Sequence, residues 1–115
     1  MEILIYHNPR CSKSRQTLEL LESKGYAPTV IEYLKTPPTH EELGQILDLL
    51  SISPRELVRK KEPEYKNNNL DDPDLSDDQL IEAMTKHPIL IERPIVINND
   101  RAAIGRPPEN VLKLL

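Results

Sequence analysis

The stretch that most narrows the possible folds is the first third of the chain. Ile3-Leu4-Ile5-Tyr6 is a short apolar run of the kind that forms a strand buried on both faces. Thr29-Val30-Ile31-Glu32-Tyr33 is β-branched and reads as a second strand. A helix is expected between them, following a loop around Cys11, with Leu18 and Leu21 turned inward and Gly25 as its stop. Strand, helix and strand within so short a span make a βαβ unit, whose two strands should be parallel and joined by a right-handed crossover.

Pro37-Pro38 interrupts this pattern, and three helix starts follow. Thr39-His40-Glu41-Glu42 is a capping box leading into Leu43, Ile46, Leu47 and Leu50 at helical spacing. Ser53-Pro54-Arg55-Glu56 puts proline at the first helical position behind a cap. Ser76-Asp77-Asp78-Gln79 repeats the box, with Leu80, Ala83 and Met84 facing inward. Lys66 to Asp74, polar and turn-rich, is expected as a surface loop. Ile95-Val96-Ile97, the turn Asn98-Asn99-Asp100 and the segment Arg101 to Ile104 read as a β-hairpin. Pro107-Pro108 opens a last short helix carrying Val111, Leu112 and Leu114. The expected class is α/β, a mixed sheet with helices packed on it and a helical insert at about residues 39–88. At 115 residues, one domain over 1–115 is the default, since two separate cores would each be marginal.

Composition removes several functions. Phe and Trp are absent, so the core must be aliphatic and stacking surfaces for single-stranded nucleic acid are not expected. Lys and Arg number 15 against 19 Asp and Glu, a formal net charge of -4, which argues against general binding of nucleic-acid backbones. Any bound anion must be held by a few local cations. No apolar run is long enough to span a bilayer, and the first residues lack a secretory signal. The single cysteine excludes an internal disulfide, so a reducing cytoplasm is the expected setting. A monomer is the expected state. It also excludes any redox cycle needing two thiols of one chain.

Chemistry concentrates in Tyr6-His7-Asn8-Pro9-Arg10-Cys11-Ser12-Lys13-Ser14-Arg15. A cysteine between a strand end and a helix start meets the unpaired N–H groups of the first turn and the positive end of the helix dipole, which favour thiolate over thiol. Arg10, Lys13 and Arg15 add positive charge in sequence. A depressed thiol pKa is therefore expected, against the plainer reading of Cys11 as a small buried hydrophobe or of the loop as a simple anion holder. His7 is a base, an orienting group or a local hydrogen-bonding residue, and Ser14 either donates toward the sulfur or faces solvent. A cysteine phosphatase would have arginine where Thr17 stands, and a thioredoxin-type pair would have cysteine at Ser14. His7, His40 and His87 show no zinc spacing. Arg59, Arg93 and Arg106 remain as surface residues or as ligands of a multi-oxygen anion, for which the guanidinium fork is suited.

His7 through Arg15, together with Glu92-Arg93-Pro94-Ile95-Val96 and Gly105-Arg106-Pro107-Pro108, resembles the glutaredoxin-dependent arsenate reductases, especially their short bacterial, arsenate reductase-like members. The resemblance runs from Ile3 to the C-terminus. It implies a thioredoxin-like fold with a helical insertion and a cis proline at Pro94. It implies Cys11 as nucleophile, His7, Ser14 and Arg15 in the loop that lowers its pKa, and Arg59, Arg93 and Arg106 as holders of the oxyanion. The implied reaction reduces arsenate to arsenite, a step in arsenic detoxification, through a Cys11 adduct. Glutathione is the implied co-substrate and glutaredoxin the implied partner, with no tightly bound cofactor or metal. Two other roles remain open on this fold: a glutathione-linked thiol-disulfide oxidoreductase, and a non-enzymatic regulator that binds RNA polymerase.

Overall fold

The computed structural model describes residues 2–115, and the chain divides into two compact units, residues 2–36 with 93–115 and residues 37–92. The first unit carries a four-stranded mixed sheet. Its strands are β1 (Ile3–His7), β2 (Thr29–Glu32), β3 (Ile95–Asn98) and β4 (Arg101–Ile104), in the spatial order β2-β1-β3-β4. β1 pairs in parallel with β2, placing His7 opposite Glu32, and antiparallel with β3, placing Tyr6 opposite Ile95. The βαβ unit with parallel strands is thus as the sequence predicts. β2 is nevertheless an edge strand: Val30 is 43% exposed, and Tyr33 lies past the strand end in a turn, fully buried. β-branched residues mark a strand here without marking its depth.

Helix α1 (Ser12–Ser23) crosses between β1 and β2. Gly25 ends it with φ of +88°, a conformation that glycine adopts without steric cost. Its buried residues are Ser14, Thr17 and Leu21, while Leu18 is only partly covered. The inward stripe therefore changes character along the helix. Leu21 joins Ile3, Ile5, Val96, Ala103, Val111 and Leu114 in the aliphatic core, and Ser14 and Thr17 carry the same face toward Cys11.

β3 and β4 form the expected hairpin, with Asn98 ending β3 and Asn99 taking a left-handed φ of 58°. The final segment, Pro108–Leu114, is a 3-10 helix. With three residues per turn, Val111 and Leu114 fall on one face and are buried, which leaves Leu112 37% exposed. The Asn98 Nδ2 donates to the Leu114 carbonyl at 2.5 Å, and the Arg101 guanidinium donates to that of Lys113 at 2.5 Å, tying this segment to the hairpin.

The second unit is helical: α2 (His40–Leu50), α3 (Pro54–Leu57), α4 (Pro63–Asn67), α5 (Asp77–Lys86) and a 3-10 turn at Pro88–Leu90. All three capping signatures form, at Thr39 with Glu42, Ser53 with Glu56 and Ser76 with Gln79. Leu43, Ile46, Leu47, Leu57, Leu80, Ile81, Met84 and Leu90 are buried. Ile81 rather than Ala83 completes the inward face of α5, and Leu50 is partly exposed. The polar stretch expected as loop begins inside α4, and Leu70 within it is buried. The Arg55 guanidinium fixes that turn by donating to the carbonyls of Leu70 at 2.9 Å and Asp72 at 2.8 Å.

One close approach sets the position of the segment after β4. A Cβ on Gly105 would fall against Thr17 Oγ1 and lie 2.8 Å from Pro94 Cγ, and Gly105 N–H donates to the Pro94 carbonyl at 2.9 Å. Thr17 is branched at Cβ and its hydroxyl is committed to the Lys13 carbonyl at 2.8 Å, so it has little room to yield. Gly105→Ala is expected to cost about 1–3 kcal/mol, the usual scale of overpacking, read as a lower urea midpoint at constant m. A midpoint equal to that of the parent protein would mean that the contact relaxes freely.

Candidate active site

The site starts from how the backbone leaves β1. Asn8 is buried and organises the turn with three groups: its side-chain Oδ1 accepts from Arg10 N–H at 3.0 Å, its carbonyl accepts from Cys11 N–H at 3.0 Å, and its own N–H donates to Ser14 Oγ at 3.0 Å. Cys11 then stands at the N-cap of α1 with extended backbone (φ −97°, ψ 123°), and Arg15 N–H donates to its carbonyl at 3.0 Å. Serine, threonine, aspartate and asparagine are the usual N-caps because their oxygen accepts first-turn N–H bonds. A thiolate in that place meets the same donors. The expectation from sequence therefore has a direct structural basis.

The Cys11 thiol lies below its ordinary pKa. Half-burial pushes it up, but the Ser14 backbone N–H, a hydrogen bond from Arg93, and the charges of Arg106 and Arg93 together outweigh that effect. The Arg106 guanidinium donates to Cys11 Sγ at 3.3 Å, while its Nε donates to the Arg93 carbonyl at 2.7 Å. The second bond holds the guanidinium plane and thereby directs its outer nitrogen toward the sulfur. Arg93, 9% exposed, enters from the segment before β3 through a cis Arg93-Pro94 bond, the isomer that the resemblance implies, and Arg106 precedes a second cis bond to Pro107. The cations that act on the thiol thus come from the far end of the chain. Arg10, Lys13 and Arg15, close in sequence, are exposed, and the Arg15 guanidinium donates to the Pro9 carbonyl at 2.9 Å.

His7 and Ser14 are also brought together. His7 Nδ1 and Ser14 Oγ are 2.6 Å apart, both groups buried. Burial lowers the His7 pKa, with Glu32 opposing and Arg15 assisting, which favours the neutral ring. Since Ser14 Oγ already accepts from Asn8 N–H, donating its own proton to Nδ1 makes it donor in one bond and acceptor in the other. Ser14 is thereby locked in place, which fixes the N–H that faces the sulfur. Arg59 belongs to the helical unit. There its Nε donates to Glu62 at 3.3 Å and its terminal NH donates to Glu92 at 2.5 Å, and these two carboxylates outweigh burial to raise its pKa. The antiparallel bridge between Val58 and Ile91 sets Arg59 beside Glu92. Among the described residues, no group of three or more His, Cys, Asp or Glu side chains gathers as metal ligands would, and no helix is long and apolar enough to cross a membrane.

Sequence reading missed Asn8, Thr17 and Gly105. Asn8 carried a signal in the Asn-Pro pair, because asparagine before a turn often bonds the backbone two residues on. Thr17 and Gly105 gave none, since their significance is a contact between positions far apart in sequence.

A mixed sheet with a half-buried cysteine at the first strand-to-helix turn, its sulfur facing arginine, defines a thioredoxin-like protein with a thiol centre. Comparison with known proteins narrows the class. The pattern described as the ArsC family matches residues 6–114, and the chain belongs to that family. The arsenate reductase of Haemophilus influenzae is 52% identical over 116 residues, covering 100% of both chains. The uncharacterised protein YfgD of Escherichia coli K12 is 52% identical over 115 residues, 99% of this chain and 97% of that one. The solved structure of an arsenate reductase from Vibrio cholerae superimposes with a TM-score of 0.98 at 55% identity, covering 100% of this chain and 98% of that chain.

Alkylation by iodoacetamide tests the electrostatics, because only the thiolate reacts. The midpoint of rate against pH is expected below that of an ordinary cysteine and should move upward in Arg106→Ala. Lys13→Ala, which removes an exposed cation, should leave it unmoved. An ordinary midpoint in the parent protein would contradict the assigned donors.

Proposed function

We propose that the chain is an arsenate reductase in which Cys11 is the nucleophile and Arg93 and Arg106 hold the oxyanion. The observation that carries this reading is the pairing of one sulfur with two guanidinium groups, one of them 3.3 Å away. A thiolate can attack a bound oxyanion only if the negative charge already on that ion is offset, and guanidinium groups do so with paired, charge-assisted hydrogen bonds. Arsenate as the oxyanion rests on family membership and on the names of relatives matching the whole chain. Arg59 joins this set through the resemblance alone.

In the proposed reaction the Cys11 thiolate attacks arsenic(V). A sulfur–arsenic bond forms, an arsenic–oxygen bond breaks, and the oxygen leaves as water after protonation. Cys11 is the only cysteine, so the two electrons for arsenic must come from outside thiols. Glutathione displaces a second oxygen as water and forms its own sulfur–arsenic bond. A glutaredoxin thiolate then attacks the glutathione sulfur, making the mixed disulfide, and the electron pair of the broken bond stays on arsenic, now arsenic(III). Water cleaves the remaining Cys11–arsenic bond to release arsenite and restore the thiolate. His7 and Ser14 act as positioning residues for the donors facing the sulfur, and Arg15 steadies the loop through the Pro9 carbonyl.

The decisive assay follows NADPH oxidation with arsenate, glutathione, glutaredoxin and glutathione reductase. Turnover is expected and should vanish in Cys11→Ser. Activity on glutathionylated protein with none on arsenate would replace this reading by a general thiol-disulfide exchange. Arg93→Ala is expected to weaken oxyanion binding by ~1.5–3 kcal/mol, the range for hydrogen bonds to charged groups. An unchanged affinity would remove Arg93 from the site.

A further inference from the structure

Arg106 stands on a short bridge between two fixed parts of the first unit. Before it, Gly105 lies against Thr17 and Pro94, with its N–H on the Pro94 carbonyl at 2.9 Å. After it, the final 3-10 helix is docked by buried Val111 and Leu114 and tied to the β3–β4 hairpin by Asn98 and Arg101. The guanidinium meets the Cys11 sulfur at 3.3 Å from the end of a long side chain. A small backbone rotation at the root of that chain becomes a large displacement at its tip, and displacements of that kind are costly at a reacting centre.

The main chain of Arg106 is held at both of its polar groups. Its N–H donates to the Ile104 carbonyl at 2.9 Å, and Asn110 Nδ2 donates to its carbonyl at 2.9 Å. The second bond replaces one that the neighbouring main chain is poorly placed to make. Pro107 and Pro108 carry no N–H, and the Asn110 N–H is already committed to the Pro107 carbonyl at 3.0 Å. A side-chain amide from the residue four positions on supplies the donor instead. Asn110 is exposed and adds nothing to the core. Nor does it carry charge: the cations acting on the sulfur are Arg93, from the segment before β3, and Arg106, from the segment after β4.

We infer that Asn110 is a positioning residue for the thiol centre: its side chain fixes the Arg106 carbonyl and, through it, the direction from which the guanidinium meets Cys11 Sγ. The contacts run without a break from the Asn110 amide to the Arg106 main chain, and from the Arg106 guanidinium to the sulfur. The bond from Arg106 Nε to the Arg93 carbonyl at 2.7 Å holds the guanidinium plane along the way. The inference rests on the reading that Arg106 serves Cys11, and it adds to that centre an exposed residue that acts only through Arg106.

The rate of alkylation by iodoacetamide against pH, measured on the full chain, reads the effect without any substrate. Asn110→Ala should raise the midpoint partway toward the value of Arg106→Ala, with a urea midpoint close to that of the parent, as for other surface substitutions. Asn110→Ser should restore the parent value, because a serine hydroxyl can also donate to the carbonyl four residues back. In the Arg106→Ala background, Asn110→Ala should add no further shift, since the two groups act in series. An unchanged midpoint in Asn110→Ala, an equal shift in the Arg106→Ala background, or a serine variant that behaves as alanine does would each overturn the proposal. If Arg106→Ala itself leaves the midpoint unmoved, the reading of the thiol centre fails and this inference with it; if only the Asn110 variants are silent, the inference fails alone. Arsenate takes no part in the measurement, so losing it as the substrate leaves either result standing.

Discussion

The bond from the Arg106 guanidinium to the Cys11 sulfur is the interaction around which the first unit is organised. A half-buried thiol by itself is driven toward its neutral form, and the Ser14 N–H at the helix N-terminus opposes this first. Added to it are the hydrogen bond and charge of Arg93 and the charge of Arg106, which arrive from the far end of the chain. For that charge to arrive, β3 must pair with β1, β4 must pair with β3, and the segment after β4 must pass close over α1. Gly105 permits that passage, and Thr17 is the surface it passes over. The chemistry at one sulfur therefore depends on the antiparallel half of the sheet as well as on the βαβ unit that carries the cysteine.

Much of this arrangement was legible in the sequence. The two N-terminal strands, the helix stopped by Gly25, the three capped helix starts and the C-terminal hairpin are local patterns, each with its own stereochemical cause, and all of them form. Depth was less legible. Val30 has the composition of a core strand residue but lies on an edge, and Leu112 resembles its buried neighbours Val111 and Leu114 until a three-residue turn places it outside. The position of Cys11 predicts a low pKa, while the cations nearest in sequence are not the ones that produce it. Electrostatic neighbours at a site are decided by tertiary contact, and the low dielectric of a buried contact favours Arg93 over exposed Lys13.

Helix α1 shows how a single element serves both stability and chemistry. Its buried stripe is aliphatic at Leu21 and hydroxylic at Thr17 and Ser14. A continuous apolar stripe would enlarge the core, but it would leave Asn8 N–H, His7 Nδ1 and the Gly105 carbonyl facing hydrocarbon. Each buried polar group without a partner costs of order 1–3 kcal/mol. The hydroxyls remove that cost: Ser14 serves Asn8 and His7, and Thr17 serves Lys13 with a longer contact of 3.4 Å to Gly105. The polar end of the stripe marks where the core gives way to the site.

Having one cysteine decides how the redox chemistry is divided. A protein with two neighbouring thiols can take the electrons from its own side chains and leave its active site as a disulfide. Cys11 can form and break one bond to arsenic but cannot close an internal disulfide, so the proposed cycle leaves this chain in its starting oxidation state and moves the oxidation onto outside thiols. That division asks something specific of the surface around the sulfur. In that proposed cycle the anion falls to the buried Arg93 and the fixed Arg106, and an outside thiol must reach the same arsenic and leave as a mixed disulfide. Strand β1, paired with β3 on one edge and β2 on the other, ends in the turn that presents Cys11 to both steps.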